Sequence, residues 1–356
     1  MNRFTITIVV CLLTNYTFTQ EDSTFLKEIR YIPEVTINAT GQTVFKQPNI
    51  HLLDFHVDEK GTFLLLKGQK KYFLSRLDAA LEMESTVLLS FKPERLHRDC
   101  LGDLQIISVD SIYRVDEHAD GIGVYEPNPI SFFYDYYANC LGETKNHLFY
   151  KFFSNSNQTV IFNAIDKQNH SPTIVYRAED SIQVLVADDW RKQIQQDGYS
   201  FNAQMQEINT VQLSASRDKF QDLMFYTFVI SRPDYIPLFT RENEVCIFDH
   251  YNDLLVHFNS NALDKPVTQL ISYHKQQGWR KELLYDGATE TFYTTFSVNG
   301  HLYVTELSKT DFSPVKSIRV HYNSFPNRLM IHGGFLYYDY TSSFEDSYKK
   351  LFRQQL

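Results

Sequence analysis

Nowhere in the 356-residue sequence does an apolar run approach the roughly 20 residues that a helix needs to cross a bilayer, so no helical membrane span is expected. Basic residues are also in short supply. Lys and Arg number 34 against 43 Asp and Glu, a formal charge of −9, which argues against nucleic-acid phosphates or an anionic membrane surface as the main partner. Cysteine is scarce, with four in all. One of them, Cys11, lies in the first apolar run; the other three, Cys100, Cys140 and Cys246, are an odd number and do not read as a disulfide framework. Chemical motifs are missing as well. There is no His-Glu-x-x-His, Cys-x-x-Cys, Gly-x-Ser-x-Gly or Gly-x-x-x-x-Gly-Lys, no Asp-box of the sialidase kind, and Gly121-Ile122-Gly123 lacks the rest of a dinucleotide fingerprint. His51 and His56 fall on opposite faces of a strand and the other histidines are scattered, so neither a metal site nor a cofactor is expected.

What the chain does contain is core material. Hydrophobic residues make up 43% and charged ones 22%, a globular balance. Aromatics reach 15% against only 13 Gly and 11 Pro, and aromatics favour strands, so the composition leans β. Length alone would fit two domains, but all-β folds of this size often form one, so length does not settle the count. The first residues read as a signal peptide over 1–19: basic Met1-Asn2-Arg3, an apolar run over 4–13, then polar residues with small Thr17 and Thr19 placed for cleavage near Gln20. A buried first strand is the alternative. Cys11 lacks the small residues expected ahead of a lipidated cysteine. Export to the periplasm or the exterior is the expectation, with 20–356 as a single domain.

Two phrases forty residues apart are nearly the same, Asp99-Cys100-Leu101-Gly102-Asp103 and Asn139-Cys140-Leu141-Gly142-Glu143. They point to internal repetition. The pattern generalises to a strand, a polar turn, an aromatic strand, a second turn and a third strand, with first strands beginning near 50, 96, 131, 236, 279 and 327. Six units at this period predict a six-bladed β-propeller, because one four-stranded blade leaves its faces exposed whereas blades in a ring cover each other. A β-sandwich pair is the alternative. The extended stretch 27–37 is expected to supply the outer strand that the last unit lacks. The long gap after the third unit reads as one mixed insertion, about 187–221, with a helical turn capped by Asp188 and a polar stretch, 202–219, expected to be the part of the domain most open to proteolysis. The third unit's outer strand is expected at 224–230. Cys100 and Cys140, as equivalent positions on neighbouring inner strands, are expected to stay apart as core thiols.

The segments Asp99-Cys-Leu-Gly-Asp-Leu-Gln-Ile-Ile-Ser-Val-Asp-Ser-Ile-Tyr113, Val245-Cys-Ile-Phe-Asp249 and Ser272-Tyr-His-Lys-Gln-Gln-Gly-Trp-Arg-Lys-Glu-Leu283 resemble exported six-bladed β-propeller proteins of unknown function from Gram-negative bacteria. The resemblance covers most of the chain past the leader. It implies fold and export and brings no catalytic residues.

Polar residues at the ends of the first strands are expected to converge on one mouth of the central channel. The candidates for binding are Arg98, Asp99, Tyr136, Arg241, His274, Trp279, Arg280 and Asp286, since an aromatic ring beside Arg or Asp can stack on a sugar or clamp a carboxylate. The competing reading is that Asp, Arg and His at blade turns satisfy backbone groups or pair between blades. With no nucleophile and base evident, the expected function is a non-catalytic binding or scaffold propeller for a glycan, peptide or protein. A hydrolase or lyase with a carboxylate-based site in the channel is the alternative. No nucleic-acid partner is expected, and the chain is expected to be a monomer.

Overall fold

The structure, a computed structural model, describes residues 41–47, 49–118, 121–125, 127–153, 159–179, 189, 192, 235–241, 243–321, 326–341 and 349–356. After β1 (Gln42–Phe45) the strands fall into six consecutive groups. Blade 1 is β2 (His51–Asp58), β3 (Gly61–Lys67), β4 (Tyr72–Leu77) and β5 (Met83–Leu89). Blade 2 is β6 (Pro93–Arg98), β7 (Leu104–Ser108) and β8 (Ser111–His118), its outer position shared by β9 (Gly121–Val124) and β10 (Asn128–Pro129). A helical segment follows, α1 (Ile130–Phe132) running into a π-helical turn (Phe133–Tyr137). Blade 3 is β11 (Cys140–Glu143), β12 (His147–Phe153), β13 (Thr159–Asp166) and β14 (Pro172–Glu179). Blade 4 is β15 (Leu238–Arg241), β16 (Glu244–Asp249), β17 (Leu254–Asn259) and β18 (Val267–Leu270). Blade 5 is β19 (Trp279–Asp286), β20 (Thr291–Val298), β21 (His301–Leu307) and β22 (Pro314–Arg319). Blade 6 is β23 (Leu329–His332), β24 (Phe335–Tyr340) and β25 (Lys350–Gln355), completed by β1. All pairings are antiparallel, and the fold is a six-bladed β-propeller.

Hydrophobic pattern explains the strand positions. Second strands such as Thr62-Phe-Leu-Leu-Leu66 in β3 and Val245-Cys-Ile-Phe248 in β16 are buried on both faces, so they read as continuous apolar runs. Outer strands such as β5 and β18 are largely exposed, as suits an edge. Apolar clusters join blade 1 to blade 2, 3 to 4, 4 to 5, 5 to 6 and 6 to 1. Among the described residues no such cluster spans blades 2 and 3. There the helical segment lies on blade 2, with Phe133 packed on Ile107 and Ile112, and a disulfide joins Cys100 to Cys140.

That bridge corrects the expectation of two separate thiols. The two phrases are not structurally equivalent. Asp99-to-Asp103 is a turn beyond β6, with Gly102 at φ +79° and Asp99 N–H bonded to Asp103 O at 3.0 Å. Cys140, by contrast, opens strand β11, which brings the two Cα atoms to 5.7 Å. Gly142 is there for another reason: a Cβ would meet the Thr240 side chain of blade 4 at 2.8 Å.

Three further expectations shift. Residues 131–137, read as the start of a strand, are helical: Pro129 precedes the first turn at φ −56°, and Ala138 N–H closes on Phe133 O at 2.9 Å. Ring closure is by β1 on β25, with Gln42 opposite Arg353, downstream of 27–37, which lies outside the described residues. The outer strand of blade 3 is β14, ahead of 224–230. Residues 224–230, 202–219 and the leader 1–19 lie outside the described residues, as does 187–221 apart from Asp189 and Lys192, both helical.

Candidate functional site

Each blade begins with its innermost strand, so all six run the same way along the channel. This divides the eight candidate residues. Arg98, Arg241 and Asp286 end β6, β15 and β19, with Asp99 one residue beyond, whereas Tyr136 precedes β11, His274 precedes β19, and Trp279 and Arg280 begin it. The eight residues of β19 hold Trp279 and Asp286 roughly 20 Å apart, whereas Tyr136 lies four residues before Cys140, whose Cα is 5.7 Å from that of Cys100 beside Asp99. The eight therefore do not converge on one mouth.

At the strand ends the side chains serve the fold. Asp99 is buried and accepts from the N–H of Leu101 and of Asp103 and from Gln105 Nε2, each at 2.9 Å. Asp286 accepts the N–H of Ala288 at 3.1 Å and the Thr289 hydroxyl at 2.9 Å within blade 5. Across the blade boundary it also takes the N–H of Gly333 at 3.0 Å and of Gly334 at 2.7 Å. Both glycines sit at positive φ, +60° and +76°, which turns their N–H groups to the carboxylate. Burial works against the Asp286 charge, yet these donors outweigh it and hold the carboxyl below its ordinary range. Arg98 pairs with Asp58, and with Glu117 at 2.6 Å, while Glu117 also meets Lys60 at 3.0 Å. His56 lies against this cluster, its pKa lowered to about 3 by burial and then by the charges of Arg98 and Arg328. Arg241 binds Glu244 at 2.9 Å and lies 3.8 Å from Cys246 Sγ. Burial pushes the Cys246 thiol up, against the pull of Arg241, so it is a packed sulfur and not a thiolate.

At the strand beginnings a cluster forms that the sequence showed only in part. His274 and Trp279 do meet, their rings 5.6 Å apart. His250, from the β16–β17 turn, joins them at 4.8 Å from Trp279 and 5.1 Å from His274. Its Nε2 faces the Tyr273 hydroxyl at 2.8 Å and its Nδ1 faces Tyr235 O at 3.3 Å. Nothing in the sequence singled out His250 beyond its place in a polar turn between apolar strands. His274 Nε2 lies 3.0 Å from Asp253 Oδ1, and Lys275 holds the other oxygen at 2.5 Å. Burial lowers His250 to about 4, helped by the neighbouring His274; burial also lowers His274, against the pull of Asp253. Both imidazoles are neutral at pH 7. Trp279 is half-buried and donates Nε1–H to Thr294 Oγ1 at 2.8 Å, so it is fixed in the wall and is not a free stacking platform.

The exposed aromatic surface lies instead on the helical segment. Phe133 anchors it, 2% exposed, with the Arg95 guanidinium 5.5 Å from its ring and His97 edge-on at 5.0 Å. Around this anchor Phe132, Tyr134 and Tyr136 are 37%, 58% and 55% exposed. Phe132 packs on Tyr136 at 4.6 Å and on Tyr137 at 5.5 Å, which makes a raft. The hydroxyls of Tyr134 and Tyr136 have no hydrogen-bond partner among the described residues. Of the raft only Tyr136 was a candidate. Phe132 and Tyr134 were hidden by the strand reading of 131–140.

Among the described residues no three His, Cys, Asp or Glu side chains gather as a metal centre needs, and no helix is long and apolar enough to cross a membrane. No protein-family model matches the chain, and no curated protein matches it. Solved structures similar to it include a streptogramin B lyase, at 10% identity and TM-score 0.36 over 89% of this chain and 86% of that one. Regucalcin from Agrobacterium tumefaciens matches at 10% identity and TM-score 0.37 over 89% and 93%, and a luciferin-regenerating enzyme at 6% and 0.39 over 87% and 96%. At such scores the likeness carries nothing about substrate, and the fold assignment rests on the six sheets themselves.

Proposed function

We propose that this chain is an exported, non-catalytic binding propeller that holds a glycan on the raft of Phe132 and Tyr136. The raft is the observation that carries the reading: two large exposed rings packed at 4.6 Å on a segment that interrupts the blade pattern. A tyrosine offers an apolar face and a hydroxyl edge, and a sugar ring offers the complement. Export is supported by the disulfide between Cys100 and Cys140, since such bonds persist in oxidising compartments, and by the leader-like 1–19.

The test is a glycan screen followed by calorimetry on Phe132→Ala and Tyr136→Ala. Each substitution is expected to cost about 1–3 kcal/mol of binding free energy with unchanged thermal stability. Full binding in both variants overturns the reading. A second reading, a hydrolase or lyase using a carboxylate, is favoured by the Asp253–His274 contact at 3.0 Å. Turnover of a screened glycan that vanishes in His274→Gln would establish that reading instead.

A further inference from the structure

A cavity of about 610 Å³ opens where blades 3 and 4 meet, bounded by the turns β11–β12, β13–β14 and β17–β18. Those turns follow first and third strands and belong to blades 3 and 4, whereas the aromatic raft packs on Ile107 and Ile112 of blade 2. Its size is that of a small-molecule site. Asn146 Nδ2 donates to Asn261 Oδ1 at 2.8 Å, tying the two blades across the rim. Asp166 and Asp264 contribute carboxylates, and Ile174 and Leu263 an apolar stretch between polar neighbours. Among the described residues no lysine or arginine lines it, and the nearby Lys167 is engaged by Glu143 at 2.5 Å. The N–H groups of Asn169 and Gln168 hold the Asp166 carboxyl below its ordinary range, so it stays charged. Two lining residues also carry orphaned atoms. Ser260 is 0% exposed with no partner for Oγ, and His147 Nδ1 is buried and unpartnered too, while its Nε2 lies 4.0 Å from Asp166. Unmet polar groups at a cavity wall are the exception in folded proteins and call for an explanation.

We infer that this cavity is a binding site for a small aliphatic amine, its ammonium group held by Asp166 and Asp264 and its methylene stem lying on Ile174 and Leu263. Two carboxylates and no lysine or arginine in the lining favour a cation over an anion at the wall itself, with Lys145, Lys167 and Lys265 on the same turns offsetting the wider field. The site is separate from the raft, and either can fail without the other.

The experiment titrates the full chain with cadaverine at an ionic strength of about 0.15 M, where contacts to scattered surface carboxylates are screened. The neutral diol and the dicarboxylate of the same chain length serve as controls. Saturable binding of cadaverine alone is expected. Asp264→Asn, at an exposed residue without a hydrogen bond or ion pair among the described residues, should weaken it about tenfold. Asn261→Lys, which tethers an ammonium at the rim, should abolish it, and Tyr136→Ala should leave it unchanged. Equal binding of the diol, no saturable binding of cadaverine, or binding that survives both cavity variants overturns the inference.

Discussion

Asp286 holds four donors with two oxygens, and two of those donors belong to the next blade. Asp286→Ala should therefore lower unfolding stability by about 3 kcal/mol or more, since each stranded buried N–H costs about 1–3 kcal/mol. Its carboxyl is depressed in the fold, so its contribution is present above the ordinary carboxylate range and lost as pH falls through the folded value. Urea unfolding of the variant should accordingly show a shallower acid limb than the parent; an equally steep limb would assign the acid loss to other groups. The cysteines make the second residue-scale case. Their separation of 40 residues gives the bridge about 4 kcal/mol in the loop-entropy account. The Cys100→Ser, Cys140→Ser double variant should lose stability of that order, read by denaturant midpoint, with the parent falling to the same value under reductant. The sequence made Asp286 legible as a residue that matters, because Asp before a Gly-Ala-Thr turn accepts backbone bonds. It hid the disulfide, because two near-identical phrases fold differently: one is a turn around Gly102, the other a strand that needs Gly142 to pass Thr240.

Second strands such as β3 and β16 were legible because burial on both faces writes an apolar run into the sequence. The helical segment was not. Ile-Ser-Phe-Phe-Tyr-Asp-Tyr-Tyr is made of strand-favouring aromatics, and local preference loses here to the anchoring of Phe133 on Ile107 and Ile112. Phe133→Ala should cost about 3 kcal/mol and should disturb raft and blade 2 together, as large-to-small changes at buried aromatics do. Fluorescence quenching of the raft tyrosines would report the first effect and thermal unfolding the second; a raft that keeps its quenching pattern would mean that Pro129 and the hydrogen bond from Ile130 N–H to Asp110 O set the segment by themselves.

For the whole molecule, closure was readable from a last unit one strand short, and the candidate site was half readable: paired residues such as His274 and Trp279 were seen, while the strand direction that sets Trp279 and Asp286 at opposite ends of β19 was overlooked. Three histidines now set a property of the ring as a whole. His56 is lowered to about 3, and His97 and His250 to about 4, in each case first by burial. The unfolded chain takes up protons near the ordinary imidazole value of 6.5 and the folded chain does not, so acid favours unfolding. Stability should fall as pH drops from 6.5 towards 4, by up to about 1.4 kcal/mol per pH unit for each histidine, and single His→Gln variants should flatten the slope. A profile that is level over that interval would refute it. The closing pair β1 and β25 carries a mechanical consequence. Because Gln42 lies opposite Arg353 in an antiparallel pair, a load applied through Gly41 and Leu356 pulls at the same end of both strands. The hydrogen bonds then open one after another like a zip, where a sheared pair would bear the load on all of them at once, and tension along the chain peels β1 from blade 6 before any of the other five blades yields.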